Sequence, residues 1–301
     1  MFFGEVKTES SLGGILSSSI DVYKDKKKLK ISKGTVINKN LVDLFLLNNI
    51  KHVICAKLDN DEVEENTAVF MISKEIIASK NSFIKIQDPK NGRCNLVSIV
   101  DGIIEFQPNQ LYSINSITDD VGVASLKPFS KVKKNQIIAS IKAIPFGIKI
   151  KHLQNIINIS QDCFKILPFQ KKNIHLIQTT NQNTREKILE KTLEVTKDRL
   201  SSCGINQITE KKCLHEIKSI CLELNESINE NADIILIFGT SAICDVNDVI
   251  PQSIKEIKGK ILRLGMPVEP GNLILLADIN LSKKKYFNNW HAWLCQIKKR
   301  K

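Results

Sequence analysis

The chain has 301 residues, 42% of them hydrophobic and 25% charged, which supports a packed core and excludes a disordered or fibrous polypeptide. At about 100–200 residues per domain it is long enough for roughly two. No apolar run approaches the ~20 residues of a membrane span. The opening Met1-Phe2-Phe3-Gly4-Glu5 puts an acid where a signal peptide carries basic residues, so the expectation is a cytoplasmic protein without a membrane partner.

The formal net charge is +12, and a basic excess invites a nucleic-acid reading. Seven of the positive charges lie in the last 19 residues, which hold no acid, so +12 less 7 leaves +5 for the rest of the chain. Lysine outnumbers arginine 39 to 5; with abundant Ile and Asn, this is the bias of an A/T-rich coding sequence. Charge alone therefore does not make nucleic acid a partner. The stretch Lys24 to Lys30 lacks interleaved aromatics for base stacking and reads as a solvated face. Eight cysteines are spread along the chain, none in a C-x-x-C pair. They read as buried, inert thiols in a reducing compartment, without metal-ligand spacing.

In chain order, residues 1–170 form a β-rich α+β region with sub-units at 1–75 and 90–150. Short β-like stretches flank Gly13-Gly14, and Leu29 to Ile37 reads as a strand and turn. Asn40 to Asn48 carries Leu41, Leu44, Phe45 and Leu47 near helical spacing. Ile50 to Leu58 predicts a strand, and residues 62–80 a further helix. From Cys94 to Ile148 short apolar runs alternate with turn signals at Asp101-Gly102, Pro108-Asn109 and Thr118-Asp119-Asp120, and Pro145-Phe146-Gly147 ends the unit.

From Asn173 the pattern changes. Ile174 to Thr179 predicts a strand, Thr180 to Asn183 a loop, and Arg185 to Cys203 an amphipathic helix stopped by Gly204. Ile205 to Ile208 reads as a strand and His215 to Ile228 as a second helix. Ala232 to Phe238 predicts a fully buried parallel strand running into Gly239-Thr240-Ser241-Ala242. Pro251 opens a helix, Lys260 to Leu264 is a strand, and Leu273 to Asp278 another. This order predicts an α/β domain with a mostly parallel sheet over 171–280.

In such a sheet ligands bind beyond the carboxyl ends of the strands. Three loops fall there: 179–183, 239–251 and 265–272. The small residues 239–242 let backbone N–H groups approach an anion, and Asp245 and Asp248 follow as two carboxylates suited to Mg²⁺. Asp248 has a plainer reading, a helix cap ahead of Pro251. The loop Gly265-Met266-Pro267-Val268-Glu269-Pro270-Gly271-Asn272 reads equally as a rigid turn. His215 reads as a solvated or capping side chain.

The block from His175 to Asn272 resembles the molybdopterin-binding domain of molybdenum cofactor biosynthesis proteins, of the molybdopterin molybdotransferase and adenylyltransferase type. The matching pieces are Leu176 to Thr179, Arg185 to Thr192, Leu214-His215-Glu216, Phe238 to Ala242, Asp245 to Pro251 and Gly265 to Asn272. Val132 to Phe146 looks like the leader region of one bacterial branch. The wider family writes Gly-Gly-Thr-Gly where this chain has Phe238 and Ser241 in the outer positions. The resemblance implies a three-layer α/β domain binding the phosphorylated pterin. By it, Asp245 and Asp248 are the catalytic and metal-binding residues, taking Mg²⁺. Thr179, Gly239, Thr240, Ser241, Ala242 and Pro251 contact the cofactor, as do Gly265, Met266, Pro267, Glu269, Pro270, Gly271 and Asn272. It implies molybdopterin and molybdate as ligands, ATP or adenylylated molybdopterin as a further partner, and a homo-oligomer. Adenylyl transfer, molybdate insertion, a non-catalytic carrier and an inactive truncated product stay open as functions.

The carboxyl terminus departs from that pattern. Lys283 to Lys301 holds both tryptophans and no acid, where the family continues with a strand, a Gly-x-Pro-Gly loop and Cys-Ala-Arg-Ser. Trp290-His291-Ala292-Trp293 must be TGG-CAY-GCN-TGG, and one base forward this can encode Gly-Met-Pro-Gly. The same shift permits Asn-Ile-Leu-Ile-Ile upstream and Cys-Ala-Arg-Ser-Lys-Lys-Glu downstream. Residues 281–301 therefore read as an out-of-frame tail, with the slip in the A-rich codons of Lys283 to Lys285, and the domain as lacking a central strand. Resequencing the gene checks this. Codons 290–300 are expected to spell the motif in the shifted frame, and codons that cannot do so overturn the reading.

Overall fold

The computed structural model describes residues 1–78, 82–267, 269, 271–280 and 291–295, the last five and Asn280 as backbone only. The chain divides into two units, Met1–Phe169 and Gln170–Lys301.

The first unit is a set of small antiparallel sheets with four helices. Phe2–Lys7, His52–Lys57 and Ile15–Leu16 form one sheet. Its inner side packs Val53 and Cys55 on Leu16, Ile37 and Phe45, the last from the helix Lys39–Leu47. Asn38 caps that helix by accepting the Leu41 N–H at 3.0 Å. The basic stretch is half of an exposed hairpin, Ile20–Lys24 with Lys27–Ile31. Its turn residues Asp25 and Lys26 both take positive φ, as a two-residue hairpin loop requires. A four-stranded sheet (Val121–Ser125, Ile137–Ala143, Arg93–Ser98, Ile84–Ile86) packs Leu96 and Ile141 against Ala68 and Ile72 of the helix Glu65–Glu75.

Three expectations need correction here. Pro108-Asn109 is not a turn but opens the helix Pro108–Asn115, because proline's missing N–H costs nothing at the first helical position. The helix expected over 62–80 is shorter: Glu62–Glu64 is a strand paired with Gly147–Lys149, and the helix spans Glu65–Glu75. The sub-unit also does not end at Gly147; the helix Ile150–Ser160 and the strand Lys165–Pro168 add Leu153, Ile156 and Ile166 to the same core.

The second unit is built on one six-stranded sheet. Its strands are β1 (Ile174–Thr180), β2 (Ile208–Leu214), β3 (Ile234–Phe238), β4 (Lys260–Leu264), β5 (Leu275–Asn280) and β6 (His291–Cys295). The spatial order is β2-β1-β3-β6-β5-β4. β1 runs parallel to β2 and β3, and β3 parallel to β6. β5 lies between β6 and β4 and pairs antiparallel with both. The sheet is therefore mixed: three of its five pairings are parallel, and β5 runs against the other strands. The turn between β4 and β5 is too short for a crossover, and a short connection joins only antiparallel strands. β6 takes the place between β3 and β5 that the sequence reading left without a strand. The remaining tail, 281–290 and 296–301, lies outside the described residues.

Side chains alternate across the sheet. Ile177, Ile235 and Ile237 pack on Ile220 and Leu224 of α2 (Ile217–Asn229) and on Ile250 and Ile254 of α3 (Val249–Glu256). Leu176, Leu236 and Phe238 point the other way, towards Leu193 and Leu200 of α1 (Glu186–Ser201). The strand expected at Ile205–Ile208 begins only at Ile208. Its run Thr209-Glu210-Lys211-Lys212 is polar because β2 is the edge strand. The thiol expectation holds at Cys55, Cys94 and Cys163, which are buried, and fails at Cys244, which is exposed. Burial pushes the Cys163 thiol to about 12.

A buried carboxylate sits in the first unit. Glu65, 3% exposed, begins its helix with one oxygen lacking any hydrogen bond among the described residues and the other 3.9 Å from Lys142 Nζ. Gly92 closes over it at φ +67°, where a Cβ would lie 2.2 Å from Glu65 Oε2. Burial raises the Glu65 pKa against the opposing pull of Lys142. A raised folded pKa gives stability that is full below the unfolded value and is lost as pH climbs through the folded one. Glu65→Gln is expected to stabilise the chain at neutral pH by roughly 1–3 kcal/mol, the usual cost of an unsatisfied buried group. The gap from wild type should close as pH falls towards the carboxylate range. Denaturant midpoints at several pH values measure it; a variant less stable than wild type at pH 8 contradicts the assignment.

Candidate functional site

β1, β2 and β3 run parallel, so their carboxyl ends lie on one side of the second unit. There the ladder bonds stop, and the last amides and carbonyls need other partners. Thr179, 2% exposed, supplies them at the end of β1. Its Oγ1 accepts the Thr240 N–H at 3.0 Å, lies 3.3 Å from Phe238 O and 2.9 Å from His215 Nδ1. Thr180 continues the seam, donating its hydroxyl to Cys213 O at 3.1 Å and accepting the His215 N–H on its carbonyl at 2.8 Å.

β3 exits into Gly239-Thr240-Ser241-Ala242. Thr240 spends its amide on Thr179, whereas the amides of Ser241 and Ala242 make no hydrogen bond among the described residues. Ile243 then turns into the core, and the chain reverses through 244–248. Asp245 Oδ1 accepts the Asn247 N–H at 2.8 Å, and its side chain is exposed. Asp248 caps α3: Oδ1 accepts the Val249 N–H at 2.7 Å and Oδ2 the Cys244 N–H at 3.4 Å. Pro251 lies buried within that helix, one residue after Ile250. Among the described residues no group of three or more His, Cys, Asp and Glu is arranged to hold a metal ion. Two carboxylates remain a usable set for Mg²⁺, which commonly takes one or two from the protein and completes its shell with water and phosphate.

The third loop is a closed turn between β4 and β5. Gly265 takes φ +80° and donates to Ile274 O at 2.9 Å, Met266 donates to Asn272 O at 3.3 Å, and Ile274 donates to Gly271 O at 3.0 Å. Arg263 Nε adds a bond to Gly265 O at 3.0 Å. Pro267, Glu269 and Asn272 are exposed, and Gly271 half-buried; Val268 and Pro270 lie outside the described residues. No hydrogen bond among the described residues joins this loop to the 239–248 segment.

His215 is the member that sequence reasoning passed over. It is half-buried between β2 and α2 rather than solvated. Burial lowers its pKa, with the Asp248 charge pulling the other way, which favours the neutral imidazole. No local signal pairs it with Thr179, 36 residues earlier.

No family model matches this chain, and no curated protein matches it. Among solved structures it is similar to a molybdenum cofactor biosynthesis protein from Pyrococcus furiosus, at 10% identity and a TM-score of 0.22 over 99% of this chain and 57% of that one. A nicotinate-nucleotide pyrophosphorylase from Francisella tularensis gives 12% identity and a TM-score of 0.20 over 67% of this chain and 83% of that one. The chain thus spans little more than half the length of the first. Likeness at these scores decides neither fold nor function.

Asp248→Ala removes the α3 cap. It is expected to cost about 1 kcal/mol of stability, read as a lower denaturant midpoint, with Asp248→Asn recovering most of it. An unchanged midpoint for the alanine variant would show that the cap contributes nothing.

Proposed function

We propose that the second unit takes part in molybdenum cofactor biosynthesis, binding molybdopterin by its phosphate at the turn after β3. The observation that carries this is the Gly239–Ala242 turn itself. It stands at the carboxyl end of parallel strands with two uncommitted amides, those of Ser241 and Ala242. The motif resemblance from His175 to Asn272 supplies the identity of the ligand. Helices on both faces of the sheet, α1 on one and α2 with α3 on the other, fit the three-layer arrangement that the resemblance implies.

In this reading the turn cradles phosphate and the Gly265–Asn272 loop borders the pterin. Asp245 and Asp248 would hold Mg²⁺, whose charge assists adenylyl transfer or molybdate insertion when it is bound. Asp245 is the better placed donor, because its Oδ2 makes no hydrogen bond among the described residues. The commitment of both Asp248 oxygens to backbone amides favours a second reading, a carrier that binds molybdopterin without turnover. Both allow a homo-oligomer.

Purified chain incubated with molybdopterin, Mg-ATP and molybdate separates the two. Binding is expected, weakened by competing phosphate, and Asp245→Ala should lower any magnesium-dependent turnover at least tenfold. Binding without turnover selects the carrier. Absence of binding overturns the proposal, and turnover that survives Asp245→Ala and Asp248→Ala removes the metal assignment.

A further inference from the structure

The Thr179 hydroxyl has three neighbours and one proton. It accepts the Thr240 N–H, so its own proton goes either to His215 Nδ1 at 2.9 Å or to Phe238 O at 3.3 Å. The imidazole is nearer. A neutral imidazole carries one N–H, and when Nδ1 accepts, that proton lies on Nε2. Nε2 has no hydrogen bond among the described residues, although the ring is only half-buried. The Oγ1 that touches Nδ1 also touches the Thr240 amide, which holds the ring beside the 239–242 turn.

We infer that His215 is the ligand-facing residue of this turn, offering its Nε2–H to a phosphoryl oxygen of a phosphate monoester or diphosphate while its Nδ1 fixes the Thr179 side chain. The inference rests on the phosphate-binding reading above. The burial that favours a neutral ring is consistent with it. A neutral imidazole adds a directed donor without adding charge, as the amides of Ser241 and Ala242 do. The ligand class is therefore read by hydrogen bonds from three donors, and its charge is left to a cation that comes with it.

The test uses the full chain in magnesium-containing buffer with pyrophosphate as the probe. First, ¹⁵N-labelled histidine spectra at pH 7.5 are expected to show His215 protonated on Nε2 and bare on Nδ1, with the Nε2 signal moving on addition of pyrophosphate. Second, titration calorimetry should give about tenfold or weaker binding for His215→Ala, the usual loss for one hydrogen bond to a charged group. His215→Gln, whose amide can reach the Nε2 position, should recover most of it. A ring protonated on Nδ1, or His215→Ala binding as tightly as a wild type that does bind, overturns the inference and leaves the phosphate site standing. A wild type that does not bind pyrophosphate overturns both. The tautomer is read on the unaltered protein, so a variant that fails to fold does not block the decision.

Discussion

One hydroxyl oxygen, Thr179 Oγ1, ties together the ends of the central strands of the second unit. A parallel sheet brings its strand ends to one side, and each strand that stops there leaves backbone groups outside the ladder. Buried groups of that kind are almost always paired. Thr179 pairs with the Thr240 amide, lies within reach of the Phe238 carbonyl, and meets the imidazole that follows β2. Its β-branch restricts χ1, so the oxygen is held in place. The turn leaving β3 takes its course from that bond, and so do the two amides, at Ser241 and Ala242, that remain open.

Parity of the strand decides which helices share the site. Thr179 lies two residues beyond Ile177 and on its face, the face covered by α2 and α3. Both helices start at the strand ends, one just after His215 and the other under the cap of Asp248. Gln178 faces the other way and is spent on α1 and β2, donating to Leu189 O at 3.0 Å and to Glu210 Oε1 at 2.8 Å. A shift of one residue would exchange the faces of these two buried polar side chains and take each from its partners. The isoleucines at 177, 235 and 237, packed into a single cluster, fix the register and thereby the site.

What the sequence made legible was what is periodic or fully buried. The β1 and β3 strands, the α1 helix and the small-residue turn follow from hydrophobic spacing and composition. β2 was misplaced because an edge strand buries only part of itself, and Thr209-Glu210-Lys211-Lys212 carries no apolar signal. Pro108 was read as a turn because proline serves turns and helix starts alike. His215 and Thr179 could not be linked, since hydrogen bonds between residues 36 apart leave no trace in local pattern. The placement of Asp248 was foreseen in its plainer form: it caps α3, and any metal it touches must share it with two amides.

In the proposed reading, the charge of the site favours a ligand that arrives with its own cation. The turn offers neutral donors, and Asp245 and Asp248 follow it closely in the chain. Two like charges about 6 Å apart repel by roughly 3 kcal/mol at an effective dielectric constant near 20, a penalty of more than a hundredfold in affinity. Hydrogen bonds from two amides and one imidazole, at about 1.5–3 kcal/mol each towards a charged acceptor, offset a repulsion of this size. A bare phosphate would therefore lose much of that gain to the carboxylates. In the proposed reading, a phosphate carrying Mg²⁺ would turn the same carboxylates from repulsive neighbours into ligands.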